Sequence, residues 1–170
     1  MGADLRELFE ANKILASNPK WIATDSTWFD LEAPLDIDGV TIEGLELRAG
    51  AGQSLPDRAV RFHLQYHPAR SPCIPLCRIE WRPVSPHTNP NQGPEHLRLL
   101  RIVGSHIHGF EMNYLEDEGR MRGKNLPIAE PIDPDPSSFR DLVDVVAAEF
   151  RINGMEQIEP PPWREGDLFG

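Results

Sequence analysis

Residues Ala59 to His67 alternate without a break, Val60, Phe62, Leu64 and Tyr66 against Arg61, His63, Gln65 and His67. A period of two marks a β-strand with one face in a core and the other on a polar surface. Such a strand needs partners for its edges and for its apolar face. The chain supplies them close by. Asp38-Gly39 is a turn signal between Leu35-Asp36-Ile37 and Val40-Thr41-Ile42, and it predicts a hairpin whose second strand runs to about Leu47 with a bulge at Gly44. Arg48 to Asp57 reads as a loop. Pro68 to Pro72 turns the chain, and Ile74 to Trp81 returns it. Residues 21–37 hold one or two strands, Pro83 to Gly93 is irregular, and Leu97 to Val103 leads into a last strand over 104–114.

Two helical patterns flank these strands. Over residues 4–16, Leu5, Leu8, Phe9 and Leu15 fall near one face, Asp4 caps the start and Asn18-Pro19 ends it. Ser137 or Ser138 caps a helix over 138–151, where Phe139, Leu142, Val143, Val146, Ala147 and Phe150 form a stripe that Asn153-Gly154 stops. Residues 116–136 read as a long loop with helical fragments, and 155–170 as an extended Pro-rich tail. The expectation is one α+β domain over 1–170. Its sheet is mainly antiparallel, with five to seven strands and an N-terminal and a C-terminal helix packed on it.

At 170 residues with 39% hydrophobic content, the chain has the material for one core. It has no apolar run of membrane-spanning length and no basic-then-apolar leader, so it reads as cytoplasmic with no membrane partner. The net charge of −10 argues against broad adhesion to nucleic acid. The charge is uneven, however. Residues 58–108 hold seven arginines, no lysine and only Glu80 and Glu95 as acids, and all six histidines lie there too. Arginine binds planar anions in bidentate fashion, so this middle segment suits phosphate.

The chemistry concentrates in Gly104-Ser105-His106-Ile107-His108-Gly109-Phe110-Glu111-Met112-Asn113-Tyr114. Read as one strand, it puts His106, His108, Phe110, Met112 and Tyr114 on one face, with the two imidazoles roughly 7 Å apart at their Cα atoms. An acid–base pair is the leading reading. Histidine titrates near neutrality and suits both proton transfers of metal-independent RNA cleavage, which needs no cofactor. Arg78, Arg82 and Arg101 would bind phosphate and Tyr114 would orient it. The proline-stiffened loop with His87 and Asn89 reads first as a turn in which Thr88 or Asn89 bonds its own backbone, and His87 with Asn89 would also complete a polar pocket. A metal site is a further reading, with His87, His96 or Glu111 as added ligands. A non-catalytic module that binds a protein partner through its acidic surface or its tail is the alternative. His63, His67, Cys73 and Cys77 form a zinc-like set, but a hairpin centred near residue 70 would pair His67 with Cys73 and His63 with Cys77, too far apart for one ion. Buried thiols are the better reading.

Residues 77–163 resemble a pattern in small uncharacterised bacterial and prophage proteins. The motifs that carry it are Arg78-Ile79-Glu80-Trp81-Arg82, His87-Thr88-Asn89-Pro90, His106-Ile107-His108 and Leu126-Pro127-Ile128-Ala129, followed by a terminal helix. Some neighbouring families look like components of toxin–antitoxin loci, and the resemblance therefore implies a ribonuclease of toxin type with RNA as substrate.

Overall fold

The computed structural model describes residues 3–123 and 125–164. Residues 165–170 of the expected tail lie outside the described residues. In chain order the elements are α1 (Leu5–Glu10), β1 (Lys13–Leu15), β2 (Ile22–Ala23), β3 (Trp28–Ile37), β4 (Val40–Gly52), β5 (Val60–Tyr66), β6 (Ile74–Trp81), β7 (His87–Thr88), β8 (Arg101–Ile102), β9 (His106–His108), α2 (Phe110–Arg122), β10 (Glu130–Pro131), α3 (Phe139–Phe150) and β11 (Ile152–Asn153).

The fold is α+β, a large and mostly antiparallel sheet with three helices packed on it. Nine strands form that sheet in the order β10-β9-β6-β5-β4-β3-β1-β11, with β2 beside β3, while β7 and β8 pair separately. The count exceeds the expected five to seven because several strands are only two or three residues long. The Asp38-Gly39 hairpin forms as expected, since Ile37 pairs with Val40. Gly44 lies in the stretch of β4 where the pairing jumps from Pro34–Glu46 to Asp36–Thr41, at a φ of +83°. Gly52 lies five residues beyond the predicted end of β4, in what read as loop. Small residues hid this extension. Ala49 and Ala51 are buried in the core, and Gly50 lies under the Trp28 indole, where a Cβ would come within 2.8 Å of the ring.

One face of the sheet carries the core. Leu31, Leu47, Phe62, Leu64, Ile79 and Ile107 join Phe110 of α2 and Leu142, Val143, Val146 and Phe150 of α3 in a single buried cluster. Burying residues of this size stabilises by about 1.5–3 kcal/mol each before the cost of ordering them. The opposite face is polar, and its cross-strand rows are legible in the register. One row runs Glu32–Arg48–His63–Arg78–His108, and the next runs Asp30–Gly50–Arg61–Glu80–His106.

Several expected boundaries differ. The N-terminal helix stops at Glu10 rather than near residue 16, because Lys13 turns inward. Its ammonium donates to the carbonyls of Phe9 (2.7 Å), Ala11 (2.8 Å) and Phe150 (3.1 Å), tying α1 to the end of α3. Strand β1 then runs parallel to β11. The strand expected over 104–114 ends at His108. Gly109 is the N-cap of α2, so Phe110, Met112 and Tyr114 do not continue the histidine face. Phe110 stacks between Phe9 and Tyr114 instead. The loop expected from residue 116 is helical as far as Arg122, broken at Asp117, whose carboxylate accepts from the Arg120 amide. The strand expected over 97–103 shrinks to Arg101–Ile102. Ser138 caps α3 by accepting from the Asp141 amide, as expected, but a left-handed Arg151 ends the helix. Among the described residues no helix is long and apolar enough to cross a membrane.

Candidate metal centre

His106 and His108 share the polar face of β9, with Ile107 on the core face between them. Antiparallel pairing with β6 sets His108 opposite Arg78 and His106 opposite Glu80. Strand β7, paired with β8, brings in His87. The three imidazoles form a cluster, with ring centroids 5.4 Å apart for His87–His106, 4.7 Å for His87–His108 and 5.1 Å for His106–His108. One ring nitrogen from each lies within 4.8 Å of the others. His106 is 1% exposed and His108 0%, while His87 is half-buried.

The hydrogen bonds assign the tautomers. His108 Nδ1 lies 2.6 Å from the Leu126 carbonyl and His106 Nδ1 lies 2.9 Å from the Gly104 carbonyl. A carbonyl only accepts, so each Nδ1 carries a proton and each Nε2 carries a lone pair. His87 Nε2 faces two acceptors at 3.0 Å, the Pro127 carbonyl and Asn89 Oδ1. Its lone pair is therefore on Nδ1. Arg78 Nη2 lies 2.9 Å from His108 Nε2 and 3.3 Å from Nδ1, against the side of the ring. His106 Nε2 is buried with no hydrogen-bond partner among the described residues. Buried acceptors left in this way are uncommon in folded proteins and point to a role beyond packing.

The segment Leu126-Pro127-Ile128-Ala129 is the back wall of the site, and side chains hold its backbone. Asn89 donates to the Ala129 carbonyl (2.7 Å) and accepts from the Ala129 amide (2.8 Å). Asn113 does the same for Ile128, both at 2.9 Å. Asn89 also donates to the Leu97 carbonyl. It is thus a tie between three parts of the chain rather than a local turn residue.

Burial sets the electrostatics. Desolvation, followed by the neighbouring Arg78 and His87, draws His108 down to about 2. His106 is lowered for the same leading reason, against the pull of the Gly104 carbonyl and Glu80. Both imidazoles are neutral at physiological pH. The guanidinium of Arg78 is itself held by Glu80, with Nε 3.2 Å from the carboxylate.

Of the residues singled out in the sequence, the structure unites His87, His106, His108 and Arg78. Arg82 is engaged elsewhere, on Asp135 and the Asp57 and Pro136 carbonyls and over the Trp81 ring. Arg101 is exposed on β8, and Tyr114 packs against Phe110 and the Arg6 guanidinium. His96 is exposed and Glu111 pairs with Arg6, so neither joins the cluster. Cys77 is a buried thiol whose burial pushes its pKa up. The hairpin register pairs His63 with Arg78 and Leu64 with Cys77, one residue away from the expected facing. The Leu126-Pro127-Ile128-Ala129 motif stood out in the sequence, but its place in the site did not, because that place is taken by backbone groups. No family model, no curated protein and no solved structure matches this chain.

Proposed function

We propose that the chain is a metal-dependent enzyme in which His87, His106 and His108 hold a divalent first-row transition ion. The observation that carries this reading is the hydrogen bonding of the three rings. Each donates its far N–H to a fixed oxygen, the arrangement that orients and strengthens metal-ligating imidazoles. One nitrogen of each ring lies within 4.8 Å of the others, and His106 Nε2 has no hydrogen-bond partner among the described residues. Three imidazoles favour zinc, iron, copper or nickel, and a three-histidine set leaves a position for water or substrate. Nitrogens bound at about 2.1 Å in tetrahedral geometry stand about 3.4 Å apart. The nitrogens lie within 4.8 Å of one another, so binding would draw the rings together, with Arg78 moving off the His108 ring.

Acid–base ribonuclease chemistry at the same pair draws support from one contact, the Arg78 guanidinium on His108. It needs one imidazole protonated near neutrality, and burial works against that on both. Metal analysis of chain reconstituted with zinc, manganese or iron(II) separates the readings. The expected result is about one ion per chain, lost in His87→Ala and His106→Ala. Cleavage of labelled RNA by metal-stripped wild type in excess chelator, abolished by His106→Ala/His108→Ala, would overturn it in favour of the ribonuclease.

A further inference from the structure

The polar face of the sheet carries two cavities that share Arg61 as a wall. One, of about 390 Å³, is floored by His63 and rimmed by Asp30, Arg48 and Gln65. The other, of about 240 Å³, is lined by Trp28, Leu55, Arg61, Glu80, Val84 and Ser85. None of the three histidines lines either cavity, but the second has their neighbours in its wall. Glu80 is the cross-strand neighbour of His106, and Ser85 is two residues from His87.

Charge on this face is distributed unequally. Arg48 pairs with Glu32 and Arg78 pairs with Glu80. Arg61 is exposed and makes no ion pair among the described residues. It lies over the Trp28 ring, its guanidinium carbon 4.7 Å from the centroid. Trp28 is held there by its indole N–H, which donates to Asp30 at 3.1 Å, and by Gly50, where any side chain would collide with the ring. An arginine flattened on a fixed aromatic keeps its fork of donors free for an anion. Around it the cavity is apolar through Leu55, Val84 and the Trp28 ring.

We infer that the cavity lined by Trp28, Arg61, Glu80 and Val84 is the substrate-binding site of the metal centre, and that it takes a small organic carboxylate with an apolar body. The carboxylate pairs with Arg61 and the body lies against Trp28, Leu55 and Val84. The far end then points across Glu80 toward His106. Arg61, Glu80 and His106 are successive members of one cross-strand row, so the Cα atoms of Arg61 and His106 are about 10 Å apart, two strand spacings. A bare inorganic anion would leave the apolar walls wet, and a neutral body would leave Arg61 without a counter-charge. The inference rests on the metal reading only for the identity of the group that the far end meets.

The test is calorimetric titration of the full chain with phenylacetate, with phenylethanol as its uncharged counterpart and inorganic phosphate as a bare oxyanion. The expected result is saturable binding of phenylacetate alone, weakened roughly tenfold or more in Arg61→Gln and in Arg61→Lys, which keeps the charge but loses the fork. Val84→Glu, at an exposed position, adds a like charge to the wall and should weaken binding comparably should Arg61→Gln fail to fold. Equal binding of phenylethanol, equal or stronger binding of phosphate, or wild-type affinity in both Arg61→Lys and Val84→Glu would each overturn the inference. Metal content measured on the same samples separates the two readings. Arg61-dependent binding to a chain that takes up no metal keeps the site and removes the metal centre. Metal uptake without phenylacetate binding removes the site alone.

Discussion

The Arg78 guanidinium lies 2.9 Å from His108 Nε2 and 3.3 Å from Nδ1, so a cation already stands beside a nitrogen that an ion would need. The Arg78 charge would repel an ion bound there. Arg78→Met removes that charge. Zinc affinity, measured against a competing chelator, is expected to rise by roughly tenfold, about 1.4 kcal/mol. Unchanged or weaker binding would mean that His108 is not a ligand.

Asn89 links the His87 ring to the backbone of Ala129 and Leu97. Asn89→Ala strands buried polar groups at about 1–3 kcal/mol each and frees the His87 ring. It should weaken metal binding by about 10–100-fold, as loss of an outer partner does. Asn113→Ala, which touches no imidazole, is the control. It should lower stability in urea without altering metal affinity beyond what unfolding explains.

His63 predicts acid sensitivity. Desolvation, then Arg78, Arg61 and Arg48, draw its pKa down to about 3. As pH falls below about 6.5 the unfolded chain takes up a proton at this ring while the folded chain does not, so stability falls with pH down to about 3 and levels off below it. The limiting slope is about 1.4 kcal/mol per pH unit. His63→Gln should flatten the urea-midpoint profile between pH 6.5 and 4.5. A parallel profile would show that the ring is solvated in the native state.

Lys13 gives a fourth expectation. It is fully buried, and its ammonium donates to three carbonyls where α1 meets α3. Lys13→Met keeps most of the volume and removes that donor. A loss of about 3 kcal/mol in urea unfolding is expected. A loss under 1 kcal/mol would mean that water replaces the ammonium.

The sheet was legible because β5 and the Asp38-Gly39 hairpin obey period-two patterning and turn chemistry that act locally. The α3 stripe was legible for the same reason. At β9 the local signal ran out. Phe110, Met112 and Tyr114 continue the alternation of His106 and His108, and only the docking of Phe110 between Phe9 and Tyr114 selects helix after Gly109. The small-residue stretch Ala49–Gly52 carries no pattern, since Ala49 and Ala51 are small core residues and Gly50 is there to admit Trp28. In the site, the common face of His106 and His108 followed from parity. The approach of His87 depended on Asn89 and on the 126–129 backbone, and no spacing rule encodes such a contact.

That back wall also decides when the site can exist. Asn89 and His87 meet residues 127 and 129 across some forty positions of chain, and His108 meets residue 126 across 18. During synthesis His87, His106 and His108 all emerge before residues 126–129, and the His87 and His108 rings lack their anchors until that segment arrives, whereas His106 is held locally by the Gly104 carbonyl. On the metal reading, an unfinished chain would offer an ion three imidazoles of which two are not yet oriented, and tight capture would be coupled to completed topology.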